Sequence, residues 1–227
     1  MQALQLVQRG RASAPSRGTG RAAFVVRPSG PRNPSAARPV VRAAATPGAR
    51  CEAKAKLLAV LADTERGYKC PPEVLDSVEA AVQRLEKINP TPKPLESPLI
   101  SGKWKLVFTT SQSILGANRP EILRPKGPTY QIIDGEQLLA QNLEGPPFFS
   151  EVKADLTPRD DAATVDVQFT WFKIAALIPI KAPESAKGFL KTTYLDEEMR
   201  ISRGDKGNLF VLLQDGPKTR VRRGPLL

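Results

Sequence analysis

The chain has 227 residues, 41% of them hydrophobic, with 34 basic and 23 acidic side chains, no histidine and two cysteines. The lack of histidine removes His-based triads, His general bases and His ligation of zinc or haem. Cys51 and Cys70 form no C-x-x-C pair, so neither a disulfide framework nor a Cys-based zinc site is supported.

The formal charge of +11 would suit a nucleic-acid binder, but its distribution does not. Residues 1–50 hold nine Arg and no acid, whereas from residue 51 onward 25 basic residues face all 23 acids. No nucleic-acid partner is expected of a nearly neutral body, because phosphate neutralisation supplies most non-specific affinity. An Arg-rich, acid-free leader containing Ser, Thr, Ala and Pro has the composition of an organellar transit peptide; a secretory signal would need an apolar stretch of roughly 7–15 residues. Pro15, Pro28, Pro31, Pro34, Pro39 and Pro47 interrupt any long amphipathic helix, which favours a plastid over a mitochondrial leader. Residues 1–45 are therefore expected to be a disordered transit peptide, with small-residue processing near Val41–Ala45. A basic arm that stays attached and binds polyanions is the alternative.

Residues 52–89 read as a helical hairpin. Ala53–Arg66 places Leu57, Leu58 and Leu61 on one face, and Gly67 stops it. Cys70-Pro71-Pro72 opens a second helix, in which Val74, Val78, Ala81, Leu85 and Ile88 form an apolar stripe that ends at Asn89-Pro90. The stripes either pack on the main domain or bind a partner or lipid. Residues 90–99, with Pro92, Pro94 and Pro98, read as an extended linker.

From residue 100 the period changes to two, and residues 100–227 are expected to form one β domain. Trp104, Leu106 and Phe108 alternate with Lys105, Val107 and Thr109. Tyr130–Ile133, Leu138–Leu143, Phe149–Leu156, Val165–Trp171, Lys191–Tyr194, Met199–Ser202 and Leu209–Gln214 follow, separated by turn signals such as Asp134-Gly135 and Gly204–Asn208. Short strands with no intervening helices argue for a mainly β fold, an antiparallel barrel or sandwich. The longest apolar run, Ile174–Ile178, is far short of the ~20 residues that span a bilayer as a helix.

Catalytic motifs are missing: there is no P-loop and no G-x-G-x-x-G, the acids Asp196, Glu197 and Glu198 read as a solvated turn, and Ser111 and Ser113 have no nearby base. No enzyme chemistry, cofactor or metal is expected.

Gly102-Lys103-Trp104 carries the G-x-W of a lipocalin first strand. It follows Leu85–Pro92, and the chain closes with Tyr194–Gly204 and Gly207–Leu212. These blocks, in this order, resemble the plastid lipid-associated proteins, also called fibrillins or plastoglobulins. The resemblance spans residues 52–214. It implies a lipocalin-like antiparallel barrel and a non-enzymatic role at plastoglobules or thylakoids, binding or storing isoprenoid and other neutral lipids. It also leaves open a scaffold or activator of a prenyl-lipid biosynthetic enzyme. Lipocalins commonly stack an Arg on the first-strand Trp, and Arg200, Arg203, Arg220 and Arg222 are all candidates.

A small barrel encloses one ligand. By period, Trp104, Phe108, Phe169 and Trp171 point inward, where they either fill the core or touch an apolar ligand; Tyr194 either packs or supplies a hydroxyl near a headgroup. Phe148, Phe149, Leu177 and Ile178 lie in apolar, Pro-marked loops and are the expected membrane contacts.

Overall fold

The computed structural model describes residues 46–147, 149–173 and 179–225. Helix α1 runs Pro47–Leu61, capped by the Thr46 side chain, which accepts from the Ala49 N–H. It starts earlier than its apolar pattern suggests, because Thr46-Pro47 is itself a helix-start signal. Helix α2 runs Pro72–Lys87, opened by proline as expected. Ala53, Leu57 and Leu61 of α1 and Val78, Val82 and Leu85 of α2 are buried, whereas Leu58 is exposed rather than on the packed face. The turn between the helices includes Gly67 at φ +104°, where an added Cβ would meet the Thr109 carbonyl oxygen at 2.1 Å. Only glycine allows that approach.

Strands β1 (Gly102–Thr109), β2 (Thr129–Asp134), β3 (Leu139–Glu144), β4 (Glu151–Pro158), β5 (Thr164–Lys173), β6 (Pro179–Lys181), β7 (Lys187–Leu195), β8 (Met199–Gly204) and β9 (Leu209–Gln214) form one antiparallel sheet. Its neighbours run β4-β3-β2-β1-β9-β8-β7-β5, and β4 also pairs with β5, so eight strands close into a barrel. The short β6 adds to β5 and breaks no part of the ring. Closure leaves the eight ring strands without a free edge.

The hairpin packs on the outside of this barrel. Its buried residues share a core with Phe108, Tyr194, Met199, Ile201, Leu209 and Val211, the outward side chains of β1, β7, β8 and β9. Arg203 clamps the packing: its guanidinium donates to Glu86 at 2.8 Å and to Glu79 at 2.7 Å. The Glu86 and Glu79 contacts outweigh burial and raise the Arg203 pKa, and the Glu79 carboxyl is lowered in return. At one end the segment before β1, with 3-10 turns at Pro94–Glu96 and Pro98–Ile100, closes the barrel. Ile100 packs there with Trp104, Ile133, Leu195 and Leu212. The expected linker is thus a built cap: the Leu95 N–H donates to Ala162 O, and the Leu195 N–H donates to Asn89 Oδ1. At the far end the β1–β2 connection carries the single-turn helix α3 (Gln112–Leu115), and Ile114 reaches the interior cluster.

The basic C-terminal segment straps the outer face of the barrel. Val221 is buried against Ile132 and Leu139 on the outer face, and its N–H donates to Asp134. Arg220 bridges to Asp134 and Glu136, and Arg223 to Asp155.

Candidate lipid site in the barrel

Strand register decides which side chains enter the barrel. Trp104 opposes Gln131, Gln131 opposes Asn142, Asn142 opposes Val152, and Val152 opposes Phe172. Opposed residues share a face, so this row runs around the interior from the capped end of β1 to the open end of β5. Trp104 is fully buried and its indole N–H donates to Ile100 O at 3.1 Å.

Three bulges then overturn the simple alternation. Leu106 opposes Leu212 but Phe108 opposes Val211, so one extra residue at Val107 turns Phe108 outward beneath the hairpin. Phe169 opposes Ala154 but Trp171 opposes Lys153; the extra residue Thr170 turns Trp171 outward and brings Phe172 inward. Thr192 opposes Ser202 but Tyr194 opposes Ile201, so Tyr194 also faces the helices. A bulge inserts one residue and thereby inverts every side chain beyond it. Of the five aromatic residues singled out from the sequence, Trp104 and Phe169 enter the barrel, while Phe108, Trp171 and Tyr194 do not.

Trp171 lines an outer cleft of about 150 Å³ with Leu139, Lys153, Thr170 and the strap residues Val221 and Arg222. The Tyr194 hydroxyl donates to Asp196 at 2.6 Å, and Lys54 of α1 bridges the same carboxylate at 2.9 Å. Burial and the Asp196 hydrogen bond both push the Tyr194 hydroxyl pKa up. Burial pushes Asp196 up too, but Lys54, Tyr194 and the Glu198 and Met199 N–H groups outweigh it and hold the carboxyl below its ordinary value. Asp196, read from the sequence as a solvated turn acid, is in fact a buried tie between hairpin and barrel.

Two zones make up the interior. Near the cap lie Trp104, Leu106, Ile133, Leu195 and Leu212, all buried. Toward the open end the inward residues Val152, Val167, Phe169, Phe172, Leu190 and Phe210 are only half-buried. The apolar side chains at this end are thus less completely packed than those beneath the cap. The Phe169 and Phe172 rings lie 5.9 Å apart, tilted by 30°.

Arg200 is the stacking partner of Trp104, with its guanidinium carbon 5.1 Å from the ring centroid. Opposite Leu195 and Leu212, it points inward, is fully buried, and donates through Nη2 to Gln131 Oε1. Burial pushes its pKa down to about 9. The three other candidates are engaged outside: Arg203 on α2, Arg220 on the β2–β3 turn, Arg222 beside the outer cleft. Arg200 could not be singled out from the sequence, and Phe172, Gln131, Leu190 and Phe210 were missed, because their facing depends on bulges and register.

At the open rim, Glu151 pairs with Lys173 and Lys173 with Pro179, so the first residues of β4 and β6 flank the end of β5. The β1–β2 connection joins them: the Gly127 N–H donates to Pro146 O and the Gly145 N–H to Pro128 O. Phe149 is 56% exposed, Ile180 53% and Ile122 75%, all at this end. Phe148, Leu177 and Ile178 lie outside the described residues. Among the described residues no His/Cys/Asp/Glu cluster could hold a metal, and no helix is long and apolar enough to cross a membrane. Ser111 and Ser113 hydrogen-bond one another at 3.1 Å.

Comparison with known proteins agrees with this architecture. The PAP_fibrillin family model matches residues 51–213. Probable plastid-lipid-associated protein 5, chloroplastic, of Arabidopsis thaliana is 41% identical over 173 residues, covering 76% of this chain and 73% of that protein. Probable plastid-lipid-associated protein 12, chloroplastic, of the same plant is 30% identical, covering 72% of this chain but 45% of its own length. The chromoplast-specific carotenoid-associated protein C1, chromoplastic, of an Oncidium hybrid cultivar is 29% identical over 219 residues, covering 72% and 69%. No solved structure matches.

Proposed function

The chain belongs to the PAP_fibrillin family, and from that premise we propose that it binds or stores a hydrophobic isoprenoid or neutral lipid inside its barrel at a plastid lipid surface, without catalysing a reaction. One observation carries the reading: the half-buried apolar wall of Val152, Val167, Phe169, Phe172 and Leu190 faces inward at the open end. Burying a chain there at ~25 cal/mol per Å² gives affinity without ionic contact. The relatives named chloroplastic or chromoplastic support a plastid address, at plastoglobules or thylakoids. The exposed Phe149, Ile180 and Ile122 rim the same opening, which suits a domain that docks mouth-down on a lipid surface and exchanges ligand with it. The ligand contacts in this reading are Trp104, Phe169 and Phe172, and the proposed membrane contacts are Phe148, Phe149, Leu177 and Ile178.

The test is mass spectrometry of lipid extracted from the purified chain. A recurrent apolar lipid near one per chain is expected. A lipid-free chain that captures a prenyl-lipid synthase stoichiometrically would replace this reading with the scaffold alternative.

A further inference from the structure

Arg200 is charged, fully buried and only partly satisfied. Nη2 reaches Gln131, but Nε and Nη1 have no hydrogen-bond partner, and no carboxylate among the described residues pairs with the guanidinium. Buried charges are ordinarily paired, and buried N–H donors ordinarily bonded. The indole of Trp104 covers one face of the group but accepts no hydrogen bond in its plane. The unsatisfied donors sit at the inner end of the row Gln131–Asn142–Val152–Phe172, where Gln131 Nε2 donates to Asn142 Oδ1 at 3.1 Å and both amides are half-buried. A polar anchor therefore ends an apolar wall.

We propose that the interior site takes a single-chain lipid bearing a carboxylate, which Arg200 receives through Nε and Nη1 while the chain runs past Val152, Phe169 and Phe172 to the open rim. The proposal rests on the lipid-binding reading above and narrows its ligand from a neutral lipid to an isoprenoid or acyl chain that ends in a carboxylate. Charge count selects the anion: Arg200 is the single cation among the described inward-facing strand residues, and the inward carboxylate Glu144 is bridged by Arg119 at the open end, so the unpaired guanidinium balances one monovalent carboxylate and not a phosphate or diphosphate. Geometry agrees, since a guanidinium edge with two free donors is the shape that receives a carboxylate in a paired fork.

The experiment uses the full chain carrying Trp171→Phe, which leaves Trp104 as the one tryptophan. Quenching of its fluorescence is titrated with oleate and with methyl oleate, which keeps the chain and a carbonyl oxygen but loses the charge. Oleate should bind roughly 10- to 100-fold more tightly, the span expected of charge-assisted hydrogen bonds. Arg200→Met should bring the two ligands within about threefold, a loss of discrimination that a merely structural arginine would not produce. Equal affinities before that substitution, or discrimination surviving it, would overturn the headgroup assignment alone. Failure of both ligands to bind would overturn this inference, while the lipid reading is decided separately by the lipid extracted from the purified chain. If Arg200→Met does not fold, carboxyl-¹³C oleate bound to the unsubstituted chain decides: its signal should stay ionised at pH values where vesicle-bound oleate protonates, and a titration matching the vesicle would refute the contact.

Discussion

Trp104→Ala is the substitution that probes the interior most severely. The side chain is fully buried, donates to Ile100 O and covers Arg200. Truncating a large buried aromatic costs about 3–5 kcal/mol through lost transfer energy and the cavity left behind. Stripping the ring from a desolvated guanidinium adds about 1 kcal/mol, so the expected loss is roughly 4–6 kcal/mol. With a urea dependence of about 2 kcal/mol per M, the unfolding midpoint should fall by roughly 2–3 M. A loss that large consumes much of a typical domain's stability of about 5–15 kcal/mol, so Trp104→Phe is the graded companion. It keeps a ring over Arg200, loses the N–H donor and should shift the midpoint by about a third as much. Urea unfolding followed by far-UV circular dichroism reads both. A Trp104→Ala midpoint within about 0.5 M of the parent would refute the placement of this residue in the capped interior.

Phe108→Leu should lower stability by about 1–2 kcal/mol yet leave lipid affinity unchanged, because Phe108 packs under the hairpin; a ligand-specific loss would mean that the β1 bulge is wrong. Asp196 is held below its ordinary value of 3.8, so its tie to Lys54 and Tyr194 stabilises the fold above that pH and is lost as pH falls through the depressed folded value. Asp196→Asn should therefore be less stable at neutral pH and flatter in its stability profile below about pH 4, and an acid limb as steep as the parent's would contradict the assignment. Replacing Phe149 and Ile180 with Asp should reduce flotation with plastoglobule-like emulsions while circular dichroism stays native; undiminished flotation would move the anchor elsewhere.

Much of the fold is written in periodicity. The two-residue alternation of Trp104 and Leu106, the turn at Asp134-Gly135 and the stripe Val78–Leu85 each lead to the right element, and Gly102-Lys103-Trp104 points to the right family. The site is less legible, for a specific reason. Alternation assigns faces only while the register is unbroken, and β1, β5 and β7 each carry one inserted residue. Val107, Thr170 and Thr193 look like ordinary strand residues, so nothing local warns that Phe108, Trp171 and Tyr194 change sides. Long-range contacts are equally silent: four arginines could stack on Trp104, and only closing the sheet brings β8 and its Arg200 across from β1. The strap was hidden too, since nothing local in this basic, Pro- and Gly-containing segment points to Asp134, Glu136 and Asp155, which lie far away in sequence.

The central claim is that lipid sits inside the barrel rather than only on its surface, and Ala154→Phe tests it most directly. Ala154 is buried, faces inward and opposes Phe169, so the added ring would occupy the space assigned to ligand. Native mass spectrometry of the plastid-purified chain should show one apolar lipid per chain, absent from Ala154→Phe and retained in the outer-face variant Trp171→Phe. The same bound lipid in both variants, or none in the parent chain, would contradict the account.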